Sequence, residues 1–191
     1  MSYLRSFAPW IVFAVIPASQ WKWGALFALV VSVAGVIRHT RNGMPLDAQI
    51  IEIGSAVYFA ALTVLAFADP KTTSLHAYVP AMAAGALGLI SGVSLLAGKP
   101  FTLGIAKQSV PPSVWSNPRF MHSNMVITSV WTAAMLTDSV ILASLAHSVM
   151  FAKLLVQLAG FAIPMVFTVR YAHHVRAKEK AAAMASQGSA A

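Results

Sequence analysis

Residues 77–98 read AYVPAMAAGALGLISGVSLLAG, twenty-two positions without an acid or a base, closed by Lys99-Pro100. A helix needs about 20 mostly apolar residues to cross about 30 Å of hydrocarbon. This stretch meets that requirement, and it lacks the apolar–polar alternation of a membrane barrel strand. Within it Ala84, Gly88 and Gly92 recur every fourth residue, and Gly88-Leu89-Ile90-Ser91-Gly92 is a GxxxG. Small residues at that spacing let two helix backbones approach closely. Packing inside a bundle is the expected use, and a homodimer face is the alternative.

Working outward, Met121–Leu142 and Ser148–Val169 read as two further spans joined by a short turn, and Ile50–Ala68 as a third. Nearer the start, Ser6–Trp21 and Trp23–Ile37 are free of charge and separated by Lys22 alone. Two short helices meeting at Trp21-Lys22-Trp23 suit the interfacial preference of Trp and the snorkelling of Lys. The expectation is therefore an all-α polytopic membrane helix bundle with six transmembrane helices, or five if the first two form one broken helix. The bundle takes residues 1–180, and 181–191, an Ala/Ser/Gln/Gly stretch, reads as a disordered cytoplasmic tail.

The whole chain agrees. Of its 191 residues 58% are hydrophobic and 9% charged, where a soluble domain carries about 25% charge. The absence of cysteine removes disulfides, thiolate metal sites, Fe–S clusters and Cys nucleophiles together. A net charge of +8 raises nucleic acid as a partner, but that needs basic residues clustered on one folded face. Here they punctuate the apolar runs. With six spans and both termini inside, Arg5, Arg38, Arg41, Lys99, Lys107, Arg119, Arg170, Arg176, Lys178 and Lys180 face the cytoplasm, while Lys22 and Lys71 face out. That bias is the positive-inside rule, so no nucleic-acid partner is expected, and membrane lipids are.

Polar residues at membrane depth are costly and mark sites. Asn124, Thr128, Trp131, Met135 and Asp138 share one helical face, as do Lys153, Gln157, Gly160, Pro164 and Thr168 on the next span. Asp138 and Lys153 lie at similar distances from the intervening turn and are placed to pair. Asn124, Asp138, Lys153, Gln157 and Glu52 thus form either structural glue or the lining of a transport path for a proton, ion or small polar solute. Glu52 is expected to pair with Arg38 or Arg41. His39, His122, His173 and His174 fall on the inner side and raise a metal, or haem in a membrane oxidoreductase subunit. Their spacing fits solvated interfacial histidines better, so neither metal nor cofactor is expected. No phosphate loop, HExxH or GxSxG occurs, and no catalytic residue is assigned.

The stretch 99–120 is the most individual. Phe101, Leu103, Ile105 and Ala106 with Lys99 and Lys107 suggest an amphipathic segment on the inner leaflet, stopped by Pro111-Pro112, with Trp115 at headgroup level. It reads as a linker along the membrane, or as a docking surface or cap over the bundle's inner mouth.

Lys99-Pro100 ending a span, a Pro ahead of Val114-Trp115, Asn124 opening the next span, the early Ala8-Pro9…Val12-Phe13 helix, Arg38…Arg41 and Lys153 together resemble the intracellular septation protein A family, in order over about residues 8–175. That resemblance implies a bacterial inner-membrane protein of cell-envelope maintenance or septation, acting through protein partners in the membrane and without catalysis.

Overall fold

The computed structural model describes residues 7–17, 20–44, 46–68, 75–107 and 110–188. Arg5, Lys71 and the side chain of Lys180 lie outside the described residues. Among the described residues seven α-helices follow in order: α1 Ala8–Val15, α2 Trp21–Arg41, α3 Ile50–Ala68, α4 Val79–Leu96, α5 Phe101–Lys107, α6 Pro118–Ser144 and α7 Met150–Gly188. Five of them, α2, α3, α4, α6 and α7, are long and apolar enough to cross a membrane. The molecule is a polytopic helical membrane bundle.

Among the described residues of the stretch expected as a first span, the helix is the eight-residue α1. At 1.5 Å per residue it covers about 12 Å, less than half a bilayer core. Pro9 opens it and Pro17 follows it, and proline fits a helix start but cannot continue one. The break therefore falls earlier than the expected Trp21-Lys22-Trp23 junction. α1 packs beside α2, and the site of a Cβ on Gly24 is 3.2 Å from the Phe13 ring and 3.4 Å from Ile16.

Helix ends follow local chemistry. α6 starts at Pro118 beneath the side chain of Asn117, whose Oδ1 accepts the Arg119 N–H at 2.9 Å. α2 and α4 end alike. The N–H groups of Gly43 and Gly98 reach back to Thr40 and Leu95, and those of Met44 and Lys99 to His39 and Ser94. This closure requires a left-handed residue, supplied by Gly43 at φ 74° and Gly98 at φ 67°. α7 stays helical to Gly188, through most of the tail expected to be disordered. Ala181, Ala182, Ala183 and Met184 are strong helix formers that prolong a helix already nucleated.

The largest interface joins α4 to α6, followed by α2 with α3 and α6 with α7. Phe7, Trp10, Phe59, Leu62, Phe101, Ile105, Ile127, Trp131 and Met135 form the core. Outward, α7 shows Leu154, Leu158, Ile163 and Val166, the surface that lipid covers.

Candidate functional site

Trp131 is the fourteenth of the 27 residues of α6, at the helix midpoint, and is 1% exposed. Its indole N–H donates to Thr168 Oγ1 at 3.0 Å, and Thr168 donates to the Pro164 carbonyl at 2.7 Å. Phe7 stacks on its ring at 6.1 Å, while Phe101 and Phe161 meet it edge-on at 6.4 and 5.2 Å. The starts of α1 and α5 thus converge on one indole at mid-bundle.

A chain of hydroxyls ties α4, α5 and α6 together. Thr132 donates to Ser91 at 3.0 Å, and Thr102 meets Thr128 at 2.8 Å and the Asn124 carbonyl at 3.1 Å. Ser94 accepts the Phe101 N–H at 3.1 Å and donates to the Ser91 carbonyl at 2.6 Å. Ser91, Ser94, Thr102 and Thr128 are all buried. Each hydroxyl spends its capacity on the protein, which is how polar groups bind helices at membrane depth.

The proposed seam residues do not share one surface. Asn124 is buried and turns its amide back to the Phe120 carbonyl at 2.8 Å. Asp138, half-buried, presses its carboxylate onto Gly160 of α7. The expected Asp138–Lys153 ion pair is absent among the described residues, because Lys153 Nζ donates to the Ala146 carbonyl in the turn between the two helices. Gln157 is exposed. Glu52 is across the bundle, 5% exposed. Among the described residues its Oε1 lies 3.6 Å from His39 Nδ1, and it makes no ion pair with Arg38 or Arg41. His39 is the residue of the last α2 turn that points inward, while both arginines are exposed. Beside it, Gln49 is fully buried and donates to the Met44 carbonyl at 2.8 Å.

Of the small-residue stripe, Gly88 lies against Leu136 of α6, with a Cβ site 2.7 Å from that side chain, and Gly92 lies 3.5 Å from Thr132. Ala84 is half-buried on the same helix. Four further close approaches carried no repeat to reveal them: Gly54 on Ile90, Gly85 on Ser139, Gly104 on Ala48 and Gly160 on Asp138.

The stretch 99–120 divides in two. Its first half is not on a membrane surface. Pro100 is buried, and α5 sinks Phe101, Thr102, Leu103 and Ile105 into the end of the bundle that carries Arg38. There it packs between α6 and the turn at residues 46–48. The second half is outside. Pro111, Pro112 and Ser113 are exposed, and Trp115 is half-buried with its N–H on the Val110 carbonyl at 3.3 Å and Lys107 Nζ 5.2 Å over its ring.

On the same basic end, α6 and α7 part around a cleft of about 670 Å³ lined by Arg119, His122, Ser123, Tyr171, His174 and Lys178 among others. Sequence reading grouped His122 with His174 by side of the membrane, but gave no sign that they share a cavity. Among the described residues no three His, Cys, Asp or Glu side chains come together as a metal site. Comparison with protein-family models, curated proteins and solved structures returned no match for this chain.

Proposed function

We propose that this chain is a non-enzymatic protein of a bacterial inner membrane that serves cell-envelope maintenance or septation by holding protein partners at its basic, cytoplasmic face. One observation carries the reading: the hydroxyl chain from Ser91 to Thr102 closes entirely on protein groups. Polar atoms spent this way bind helices and leave little to solvate a passing solute. The surface left for recognition is the segment at 111–119, whose Pro111, Ser113, Asn117 and Arg119 are exposed. It is held out from the bundle by the buried α5. The resemblance to the septation protein A family points to the same kind of work.

The transport alternative draws on Asp138, a carboxylate with no hydrogen-bond partner among the described residues. It draws little from Asn124 and Lys153, whose side chains return to the Phe120 and Ala146 carbonyls, or from Gln157, which is exposed.

The test is photocrosslinking in intact membranes from a reactive residue at Ser113, with one at Val140 on the lipid-facing surface as reference. Discrete protein adducts from Ser113 and none from Val140 are expected. Adducts to lipid alone at both positions would sink the proposal.

A further inference from the structure

From the cleft between α6 and α7 we infer that the protein holds the phosphate of an anionic phospholipid at its basic face. The cleft brings together two permanent cations, Arg119 and Lys178, two imidazoles, His122 and His174, and the hydroxyls of Ser123 and Tyr171. Among the described residues no acid lines it. Every polar group named can donate a hydrogen bond to a phosphate oxygen, and Arg119 can do so through two N–H groups.

The charge placement has a second peculiarity. The first turn of α6 contains no acid, although the positive end of a helix dipole favours one. Arg119 stands there instead, adding positive charge to a positive end. An external anion in the cleft offsets that arrangement, and nothing on α6 itself does.

The lipid, and not free phosphate, follows from position. The cleft opens where the apolar runs of α6 and α7 give way to basic residues, the depth of phospholipid headgroups. One turn toward the bundle middle on the same face of α7, Phe167 is half-buried and stacks on Tyr171 at 5.4 Å, an apolar surface along which an acyl chain lies. Tyr171, at the boundary between the two, has the amphipathic ring that settles at such interfaces. Basic recesses between membrane helices on this side recognise anionic headgroups by the same chemistry.

The test uses the purified full-length protein in detergent micelles doped with phosphatidylglycerol or phosphatidylcholine, with bound lipid counted by native mass spectrometry. Wild type should retain phosphatidylglycerol over phosphatidylcholine. Each permanent cation near the surface contributes roughly 5-fold, so Arg119→Gln with Lys178→Gln should lower retention about 30-fold. Lys178→Gln alone, an exposed position whose change should leave folding intact, should lower it about 5-fold. Arg38→Gln with Arg41→Gln, on the same face outside the cleft, should leave retention unchanged. Equal loss from that pair would mean a diffuse charge effect and overturn the site. Displacement of phosphatidylglycerol by millimolar inorganic phosphate would overturn the lipid in favour of a free anion. Undiminished retention in both cleft variants would overturn the inference altogether.

Discussion

The carboxylate of Asp138 occupies the space that a side chain on Gly160 would need. An acidic residue and a glycine on facing helices thus form one packing unit, a use for a carboxylate that has no ion-pair partner among the described residues. Gly160→Ala should force the carboxylate aside and cost about 1–2 kcal/mol. Asp138→Ala in the same chain should return most of that stability, a coupling readable by a double-mutant cycle of unfolding in detergent. Simple additivity of the two changes would count against the packing unit.

The α4–α6 interface makes a graded prediction. At Gly88 an added methyl meets Leu136 at 2.7 Å, whereas at Gly92 it meets Thr132 at 3.5 Å and at Gly35 it meets nothing within 4 Å. Gly88→Ala should destabilise by about 1–3 kcal/mol. Gly92→Ala should be near neutral. Gly35→Ala should stabilise by up to about 1 kcal/mol, since alanine is the better helix former. Midpoints of unfolding in mixed micelles rank the three. If Gly92→Ala proved as harmful as Gly88→Ala, Gly92 would have to meet something other than α6, and a second copy of the chain would be the first candidate.

Trp131 and Thr168 join α6 to α7 through a buried N–H to oxygen bond. Thr168→Val keeps the shape and removes the acceptor, so it should cost about 1 kcal/mol, near the middle of measured intramembrane hydrogen bonds. Trp131→Ala should cost about 3–5 kcal/mol, because it also opens a cavity under three phenylalanines. Measured unfolding free energies that were equal for the two would show the hydrogen bond, and not the packing, to dominate.

At α5, Gly104 leaves no room for a methyl against the backbone of Ala48, and Gly98 holds a φ that other residues resist. Gly104→Ala and Gly98→Ala should each loosen α5 from the bundle, the first more than the second. The readout is protease cleavage after Lys107, expected to be slow in wild type and several-fold faster in Gly104→Ala. Equal cleavage rates would mean that α5 is not held by this contact.

Because the chain has no cysteine, single cysteines report its sidedness directly. Cysteines at Ser113 and Gln20, both exposed, should label with a membrane-impermeant maleimide from opposite sides, Ser113 from the cytoplasm. Labelling of both from one side would overturn the orientation inferred from the basic residues.

The long spans were legible because length and charge punctuation are one-dimensional properties. Residues 50–68 and 79–96 agree with the expected runs within a few positions. The short helices were not. Phe101, Leu103 and Ile105 followed by Lys107 suit a helix lying on a membrane as well as one buried in a bundle. Only the partner of Gly104, far away in sequence at Ala48, decides between them. Asp138 and Lys153 mislead for a related reason. Equal spacing from a turn implies pairing only if both helices leave it symmetrically. Here the register sets Asp138 opposite Gly160, seven residues beyond Lys153, whose amine folds back into the turn. The basic cleft depends on the same register, which brings His122 and Arg119 level with His174 and Lys178. The sequence supplied its components and not their meeting.

The convergence of α1 and α5 on Trp131 bears on how the protein is made. Helices of eight and seven residues are too short to cross a bilayer by their own hydrophobicity. Their backbone ends must instead enter between helices already in place. The order expected from this is that the five long helices insert first and the two short ones dock afterwards, closing on the indole as a latch closes from both sides. During synthesis this makes the first helix of the chain among the last to find its seat. Backbone hydrogen exchange should then release α1 and α5 before any long helix, with Trp131 marking the point where assembly ends.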